Sequence, residues 1–123
     1  DGFAAGDLAK ALGALDPELE LTYSAAVPWK GTHHGHLGFQ TFAGMMLERF
    51  EVEVVDYELF QAGEERAASR VVTKFTLRAT GESVTMPVME SYWSRNGKLH
   101  RIEPFYFNQT LIAEMYAKGG AAG

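Results

Sequence analysis

Residues 90–107 read ESYWSRNGKLHRIEPFYF, and this stretch decides the fold class. Asn96-Gly97 is the residue pair typical of a two-residue β-hairpin turn, because both positions tolerate positive φ. The flanking runs, Ser83–Ser94 and Lys98–Phe107, carry apolar residues on both sides. An antiparallel sheet with one face in water alternates apolar with polar residues, so this pattern predicts that both faces are covered. We expect helices on one face and a second copy of the chain on the other; the alternative is an aromatic side chain left partly exposed.

Two more strands precede this hairpin. Glu51–Phe60 and Arg66–Ala79 have strand patterns, with turns at Gln61–Glu65 and at Thr80–Glu82. Charged residues that we expect on solvated faces are Glu51, Glu53, Asp56, Glu58, Glu64 and Glu65.

The first half of the chain mixes helical and strand periods. The predicted elements are a helix from Phe3 to Leu15 ended by Asp16-Pro17, a half-buried strand from Leu19 to Tyr23, a loop over Ser24–Gly35 and a helix over Leu37–Phe50. Asn108 is the predicted N-cap of a short closing helix that Gly119-Gly120 ends. This order predicts an α+β fold in which the helices pack on one face of the sheet.

Composition narrows the class of protein. The 123 residues suffice for a single domain, which we assign to residues 1–123. The net charge is −5 and the cations are scattered, so nucleic acid is not expected as a partner. No apolar run approaches the ~18 residues of a membrane span, and we expect no signal peptide. With no cysteine, the chain suits a reducing cytoplasm, where we expect it as a soluble protein.

Four short motifs in a fixed order resemble those of the nuclear transport factor 2-like superfamily, and within it the SnoaL-like and ketosteroid-isomerase-like proteins. They are AGDL at Ala5–Leu8, PWKG at Pro28–Gly31 followed by GHLGF at Gly35–Phe39, YWSRNGK at Tyr92–Lys98 and the aromatic strand Arg101–Phe107. The resemblance implies a curved antiparallel sheet that forms a cone closed by N-terminal helices, with a short C-terminal helix. It also implies an apolar pocket inside the cone. Activity does not follow from this fold, which hosts both enzymes and binding modules.

Glu90 is the most informative polar residue in the sequence. It lies mid-strand on one face with Met86, Val88 and Tyr92. A buried carboxyl without a cation protonates or finds a donor, and a neutral carboxyl can act as a hydrogen-bond donor or general acid. The resemblance implies that Glu90 matches the strand position at which the ketosteroid isomerases hold such an acid. Two alternatives stay open. In one, a tyrosine or arginine binds Glu90 and makes it a structural group. In the other, a one-residue register slip exposes Glu90 and buries Met89 and Trp93.

Other positions depart from the pattern of the family's enzymes. By the resemblance, Tyr23 stands where the isomerases have their carboxylate base, and a free phenol is a poor base at neutral pH. Pro104 stands where the cyclase-like members have an acid, and the pleat points Glu103 away. The residues that we expect in the pocket wall, besides Glu90 as the candidate catalytic residue, are Tyr23, Trp29, Phe42, Met86, Tyr92, Ile102, Pro104 and Tyr106.

The histidines do not form a convincing metal site. His33, His34 and His36 crowd one loop, but no cysteine or nearby acid completes a ligand set. We interpret them as a polar loop at the pocket mouth, with one of them as a general base as the alternative. His100 is expected at the inner rim of the last strand.

Three hypotheses for function follow. The first is a cofactor-independent isomerase, cyclase or epoxide-hydrolase-like enzyme that uses Glu90 on a small hydrophobic substrate, with no metal or organic cofactor. The second is a non-catalytic binding module with the same pocket. The third is a dimerisation module whose cavity is only packing. A homodimer through the outer sheet face is expected in each.

Overall fold

The computed structural model describes residues 13–122 of the chain, with side chains described as far as Gly119. In chain order the elements are β1 (Leu15–Tyr23), β2 (Gly31–His34), α1 (Gly35–Arg49), β3 (Phe50–Gln61), β4 (Arg66–Leu77), β5 (Ser83–Arg95), β6 (Lys98–Tyr106) and α2 (Gln109–Ala122). The strands form one sheet in the order β2-β1-β6-β5-β4-β3. The predicted α+β class is confirmed. The helix predicted from Phe3 falls largely outside the described residues, and Leu15, its predicted last apolar position, begins β1 instead.

The hairpin that decides the fold has the predicted turn. Asn96 and Gly97 adopt φ of 52° and 76°, the left-handed region that a tight hairpin turn requires. From this turn β5 and β6 pair antiparallel, and β4 and β3 continue the same meander. The local turn chemistry therefore sets the register of the central strands.

Two predictions about the first half of the chain are wrong. β1 pairs parallel with β6, so the sheet is mixed rather than antiparallel throughout. The predicted loop also contains a strand, β2, which pairs antiparallel with β1. Three of its four residues are exposed, so β2 carries no apolar alternation that a sequence pattern could reveal. Its backbone hydrogen bonds to β1 define it instead.

Glycines 35 and 38 let α1 begin against the backbone of the strands before it. Gly35 has a φ of 68°, and a Cβ there would lie 2.8 Å from the Pro17 carbonyl oxygen. A Cβ on Gly38 would lie 2.7 Å from the His33 carbonyl carbon. A side chain at either position would push α1 off β1 and β2. The G-x-x-G spacing therefore has a packing reason.

The C-terminal helix begins as predicted and ends later. The Leu111 N–H donates to the Asn108 Oδ1 at 3.1 Å, so the N-cap is confirmed. Gly119-Gly120 does not end α2, which continues to Ala122. A Cβ on Gly119 would lie 2.9 Å from the Leu77 Cδ1. Gly119 thus allows a close approach of α2 to β4 rather than acting as a stop.

Two irregularities change which side chains face inward. The β3–β4 register shifts between Val54 and Asp56, so Val55 is an extra residue in β3. The β5–β6 register shifts between the pairs Trp93–Arg101 and Ser94–Leu99, so His100 is extra in β6. A bulge reverses the alternation beyond it and bends the strand. Leu99 is therefore on the inner face, where strict alternation from Ile102 would place it on the outer face.

The core lies between the inner sheet face and the two helices. α1 contributes Phe39, Phe42, Ala43 and Met46, and α2 contributes Ile112 and Met115. The acidic positions of β3 and its turn are all exposed, as predicted.

Candidate functional site

A cavity of about 480 Å³ opens between the inner face of the sheet and α1. This volume is typical of sites for small organic molecules. Every strand except β2 contributes to its wall, and the wall is mostly apolar. The predicted residues found in the wall are Tyr23, Phe42, Glu90, Tyr92, Ile102, Pro104 and Tyr106.

Two residues predicted for the wall lie in the core instead. Trp29 is 1% exposed, and its ring packs on Phe42, Tyr106 and Tyr116 at centroid distances of 6.0, 6.0 and 5.4 Å. It is therefore enclosed between the sheet, α1 and α2, behind wall residues, and does not itself line the cavity. Met86 is 3% exposed and packed in the same core, because the inner face of β5 is covered at that position.

β3 provides one side of the cavity, which was not predicted from the sequence. Val52, Val54, Tyr57 and Leu59 all line it, and the bulge at Val55 makes this possible. The signal was present in the acidic pattern E-x-E-x-x-D-x-E of residues 51–58, whose one extra position marks the bulge. Tyr57 and Leu59 also remain 48% and 54% exposed, so the cavity is open towards this edge of the sheet.

Glu90 lies in the polar part of the wall, within a short hydrogen-bond chain. The Tyr92 hydroxyl donates to the Glu90 Oε1, and the Ser69 Oγ lies 2.7 Å from the same hydroxyl. The Glu90 Oε2 makes no hydrogen bond within the described part of the chain. It is also not among the fully buried polar atoms that lack a partner, so it remains accessible. The carboxyl therefore has one oxygen held by the protein and one that faces the cavity space.

The surroundings of Glu90 disfavour negative charge. Burial raises the pKa of its carboxyl, and the hydrogen bond from Tyr92 only partly opposes this effect. No lysine, arginine or histidine lines the wall among residues 13–119, so no cation from these residues compensates a carboxylate. Burial likewise raises the pKa of the Tyr23 and Tyr106 hydroxyls, and the nearby Glu90 adds to the shift. The tyrosines are therefore neutral hydrogen-bonding groups at physiological pH.

The two phenols form an aromatic corner beside Glu90. The Tyr23 and Tyr106 rings stack at 6.0 Å with an interplanar angle of 17°. The Phe42 ring lies 4.9 Å from that of Tyr23. Flat aromatic walls with a few polar tips suit a flat ligand that carries oxygen substituents.

The three histidines lie in β2 and at the start of α1 rather than in a loop, and two of them contact backbone oxygens. The His33 Nε2 lies 2.7 Å from the Trp29 carbonyl oxygen, and the His36 Nε2 lies 2.9 Å from that of Leu15. His34 is exposed, and none of the three lines the cavity. Residues 13–119 contain no group of three His, Asp or Glu side chains arranged to hold a metal ion.

The side chains on the outer face of the sheet show that β5 has the predicted register. Met89 and Trp93 lie on this face, opposite Phe105 and Arg101 of β6, so the register slip considered for Glu90 does not occur. Met89, Phe105 and Phe107 are 42%, 53% and 81% exposed. Trp93 lies between two guanidinium groups, with Arg66 and Arg101 at 3.9 and 4.7 Å from its ring centroid.

A sequence model of the SnoaL-like domain matches residues 1–102. This chain belongs to the SnoaL-like domain family. No curated protein matches it. Within the part of the chain that the structure describes, no helix is both long enough and apolar enough to cross a membrane.

Several solved structures share the fold. An NTF2-like protein of unknown function from Burkholderia pseudomallei is 22% identical, with a TM-score of 0.83 over 94% of this chain and 88% of that one. A provisionally assigned polyketide cyclase from Xanthomonas campestris pv. campestris is 19% identical, with a TM-score of 0.80 over 93% and 88%. TerC, co-crystallised with polyporic acid, is 21% identical, with a TM-score of 0.81 over 94% and 90%.

Proposed function

We propose that this SnoaL-like domain binds a small, largely apolar molecule with a carbonyl or hydroxyl oxygen, and that Glu90 acts on that oxygen as a neutral acid. The observation that carries the proposal is the Glu90 carboxyl itself. It lies in an aromatic cavity with one oxygen held by Tyr92 and the other unpaired within the described residues. A neutral carboxyl in such a place donates a hydrogen bond to a ligand oxygen.

The chemistry that suits this site is cofactor-independent proton transfer. A hydrogen bond from Glu90 to a carbonyl oxygen would stabilise the negative charge that develops there when a neighbouring carbon gives its proton to a water molecule or to an ionised oxygen of the substrate itself. The Tyr23 and Tyr106 hydroxyls would orient the same oxygen or a second one. The assignment of similar folds as polyketide cyclases and the co-crystal of TerC with polyporic acid support a hydroxylated, carbonyl-bearing aromatic as the ligand class.

A binding module without catalysis is the second candidate, and one observation favours it. Glu90 is the only carboxyl in the cavity wall among residues 13–119, and no histidine or lysine accompanies it there. A reaction that needs separate acid and base groups would lack one of them in this wall. Binding of the ligand requires only the donor.

We also propose a homodimer through the outer sheet face and a cone-shaped curvature of the sheet around the cavity. The exposed Met89, Phe105 and Phe107 support the first proposal, because a large exposed apolar patch marks an interaction site. The bulges at Val55 and His100 support the second, because bulges increase strand bending.

A thermal-shift screen tests the ligand proposal. The compounds are hydroxylated quinones and aromatic polyketides, steroid ketones, lactones and terpene epoxides. At about one hundred times its dissociation constant, a ligand stabilises the fold by about 2.7 kcal/mol. We expect a carbonyl-bearing compound to stabilise the wild type, Glu90→Leu to lose that shift, and the exposed-site control Glu58→Gln to keep it.

Glu90→Gln separates the two candidates, because an amide still donates a hydrogen bond but no longer supplies a proton. Retained binding with lost turnover supports the enzyme. Retained binding of a compound that the wild type does not convert supports the binding module. A shift of equal size in the wild type and in Glu90→Leu would contradict both.

A further inference from the structure

We propose that Ser69 is a positioning residue for Glu90, acting through the Tyr92 hydroxyl so that a neutral Glu90 carries its proton on Oε2, the oxygen that faces the cavity. The inference rests on the proposed function, since it specifies how the same carboxyl is presented to a ligand. Ser69 was not a candidate in the sequence analysis. Its role depends on the pairing of β4 with β5.

The sheet register brings Ser69 to Glu90. The two residues are direct cross-strand partners in the β4–β5 ladder, so their side chains share the inner face. Ser69 is completely buried, at 0% exposure, although serine is a polar residue. Its hydroxyl lies 2.7 Å from that of Tyr92. A buried hydroxyl normally has a specific partner, and Tyr92 is that partner.

Counting hydrogens fixes the direction of the chain. The Tyr92 hydroxyl has one hydrogen. If a neutral Glu90 donated from Oε1 to Tyr92, Tyr92 would have to donate to Ser69, and the hydrogen of the buried Ser69 hydroxyl would have no acceptor among the described residues. The Tyr92 hydrogen is therefore donated to the Glu90 Oε1. The contact between Ser69 and Tyr92 therefore has Ser69 as the donor and the phenol oxygen as the acceptor. A hydroxyl that accepts a hydrogen bond becomes a better donor, so Ser69 strengthens the bond from Tyr92 to Glu90.

This chain of hydrogen bonds determines which oxygen of Glu90 carries the proton. In a neutral carboxyl one oxygen accepts and the other bears the hydrogen. Oε1 is already the acceptor for Tyr92, so the hydrogen lies on Oε2. The other titratable groups facing this region are the phenols of Tyr23 on β1 and Tyr106 on β6. Tyr57 on β3 also faces Tyr92, and its charge would raise the pKa of the Tyr92 hydroxyl. Within the described residues, Tyr92 is the one hydrogen-bond donor to the carboxyl.

The test is a pH titration of the Glu90 carboxyl carbon by ¹³C NMR in the ligand-free full chain, with Glu90→Gln to assign the signal. The Tyr92 hydrogen bond lowers the pKa of Glu90, so Tyr92→Phe should raise the apparent pKa. Ser69→Ala should raise it by less, and Ser69→Cys, whose thiol is a weak donor, by less still. Adding Ser69→Ala to Tyr92→Phe should have no further effect, because Ser69 acts only through Tyr92.

An unchanged titration in both Ser69 variants would overturn the proposal, as would a Ser69→Ala effect of equal size with and without Tyr92. An infrared measurement tests the proton position. The carbonyl band of neutral Glu90, assigned by its loss in Glu90→Gln, should move to higher frequency in Ser69→Ala and further in Tyr92→Phe. A band that stays in place would show that Oε1 is not the acceptor. These measurements use no ligand, so failure of the ligand screen and failure of this inference are separate results.

Discussion

The Tyr92 hydroxyl donates a hydrogen bond to the Oε1 of Glu90, two residues before it on the same face of β5. The bond holds the carboxyl in the cavity wall and leaves its second oxygen without a partner among the described residues. It also stabilises the carboxylate, but less than burial destabilises it, so the pKa of Glu90 remains raised. The hydrogen bond thus accounts for the position of the candidate acid, and burial accounts for the direction of its pKa shift.

Glu90 should make stability depend on pH in a predictable direction. Its pKa in the folded protein is above the ordinary value of 4.5, so between these two values the folded state binds a proton that the unfolded chain has lost. The free energy of unfolding should therefore fall as pH rises from about 4.5 through the folded pKa, and then level off. Urea unfolding of the wild type and Glu90→Gln across this range checks the difference between them.

The control for this experiment is Glu58→Gln, at an exposed position of β3. Its unfolding curves should keep the pH dependence of the wild type. A wild-type minus Glu90→Gln difference that does not change with pH would show that the carboxyl has the same pKa in both states.

Two glycines of α1 should respond oppositely to alanine. A Cβ on Gly38 would lie 2.7 Å from the backbone of His33, so Gly38→Ala should destabilise the fold by about 1–3 kcal/mol. Gly44 has open space around its Cα in the same helix, so Gly44→Ala should stabilise it by about 0.5–1 kcal/mol. Denaturant unfolding of both variants measures the two effects, and equal effects would contradict the packing of α1 on β2.

The outer face should control association. Phe105→Asp places a charge among Met89 and Phe107, and we expect it to convert a dimer to a monomer in analytical ultracentrifugation. Val55→Asp is the matched control, because Val55 is 55% exposed against 53% for Phe105 but lies on the edge strand β3. A wild type that is monomeric at high concentration, or dissociation by Val55→Asp alone, would contradict the proposed interface.

Local sequence chemistry predicted the elements that depend on neighbours along the chain. The Asn96-Gly97 turn, the Asn108 cap and the strand from Ser83 into β5 each have a signal within a few residues, and each occurs in the structure. Glu90 was a candidate for the cavity because alternation along β5 groups it with Val88 and Tyr92, and this face does line the cavity.

The features that sequence analysis missed depend on contacts between distant segments. The parallel pairing of β1 with β6 and the short strand β2 arise from backbone hydrogen bonds that no side-chain pattern marks. Leu99 faces inward only because His100 is an extra residue relative to β5. Trp29 lies in the core because α2 packs over it, and Ser69 reaches Tyr92 only through the β4–β5 register.

The pH dependence of ligand affinity tests the central claim most directly. The measurement is the dissociation constant of the best carbonyl-bearing compound from the thermal-shift screen, by titration calorimetry over a range of pH, for the wild type and Glu90→Gln. If a neutral Glu90 donates to the ligand oxygen, affinity for the wild type falls about tenfold per pH unit above the pKa of Glu90, whereas Glu90→Gln shows no such fall. The same pH dependence in both proteins, or wild-type affinity that rises with pH, would contradict the account.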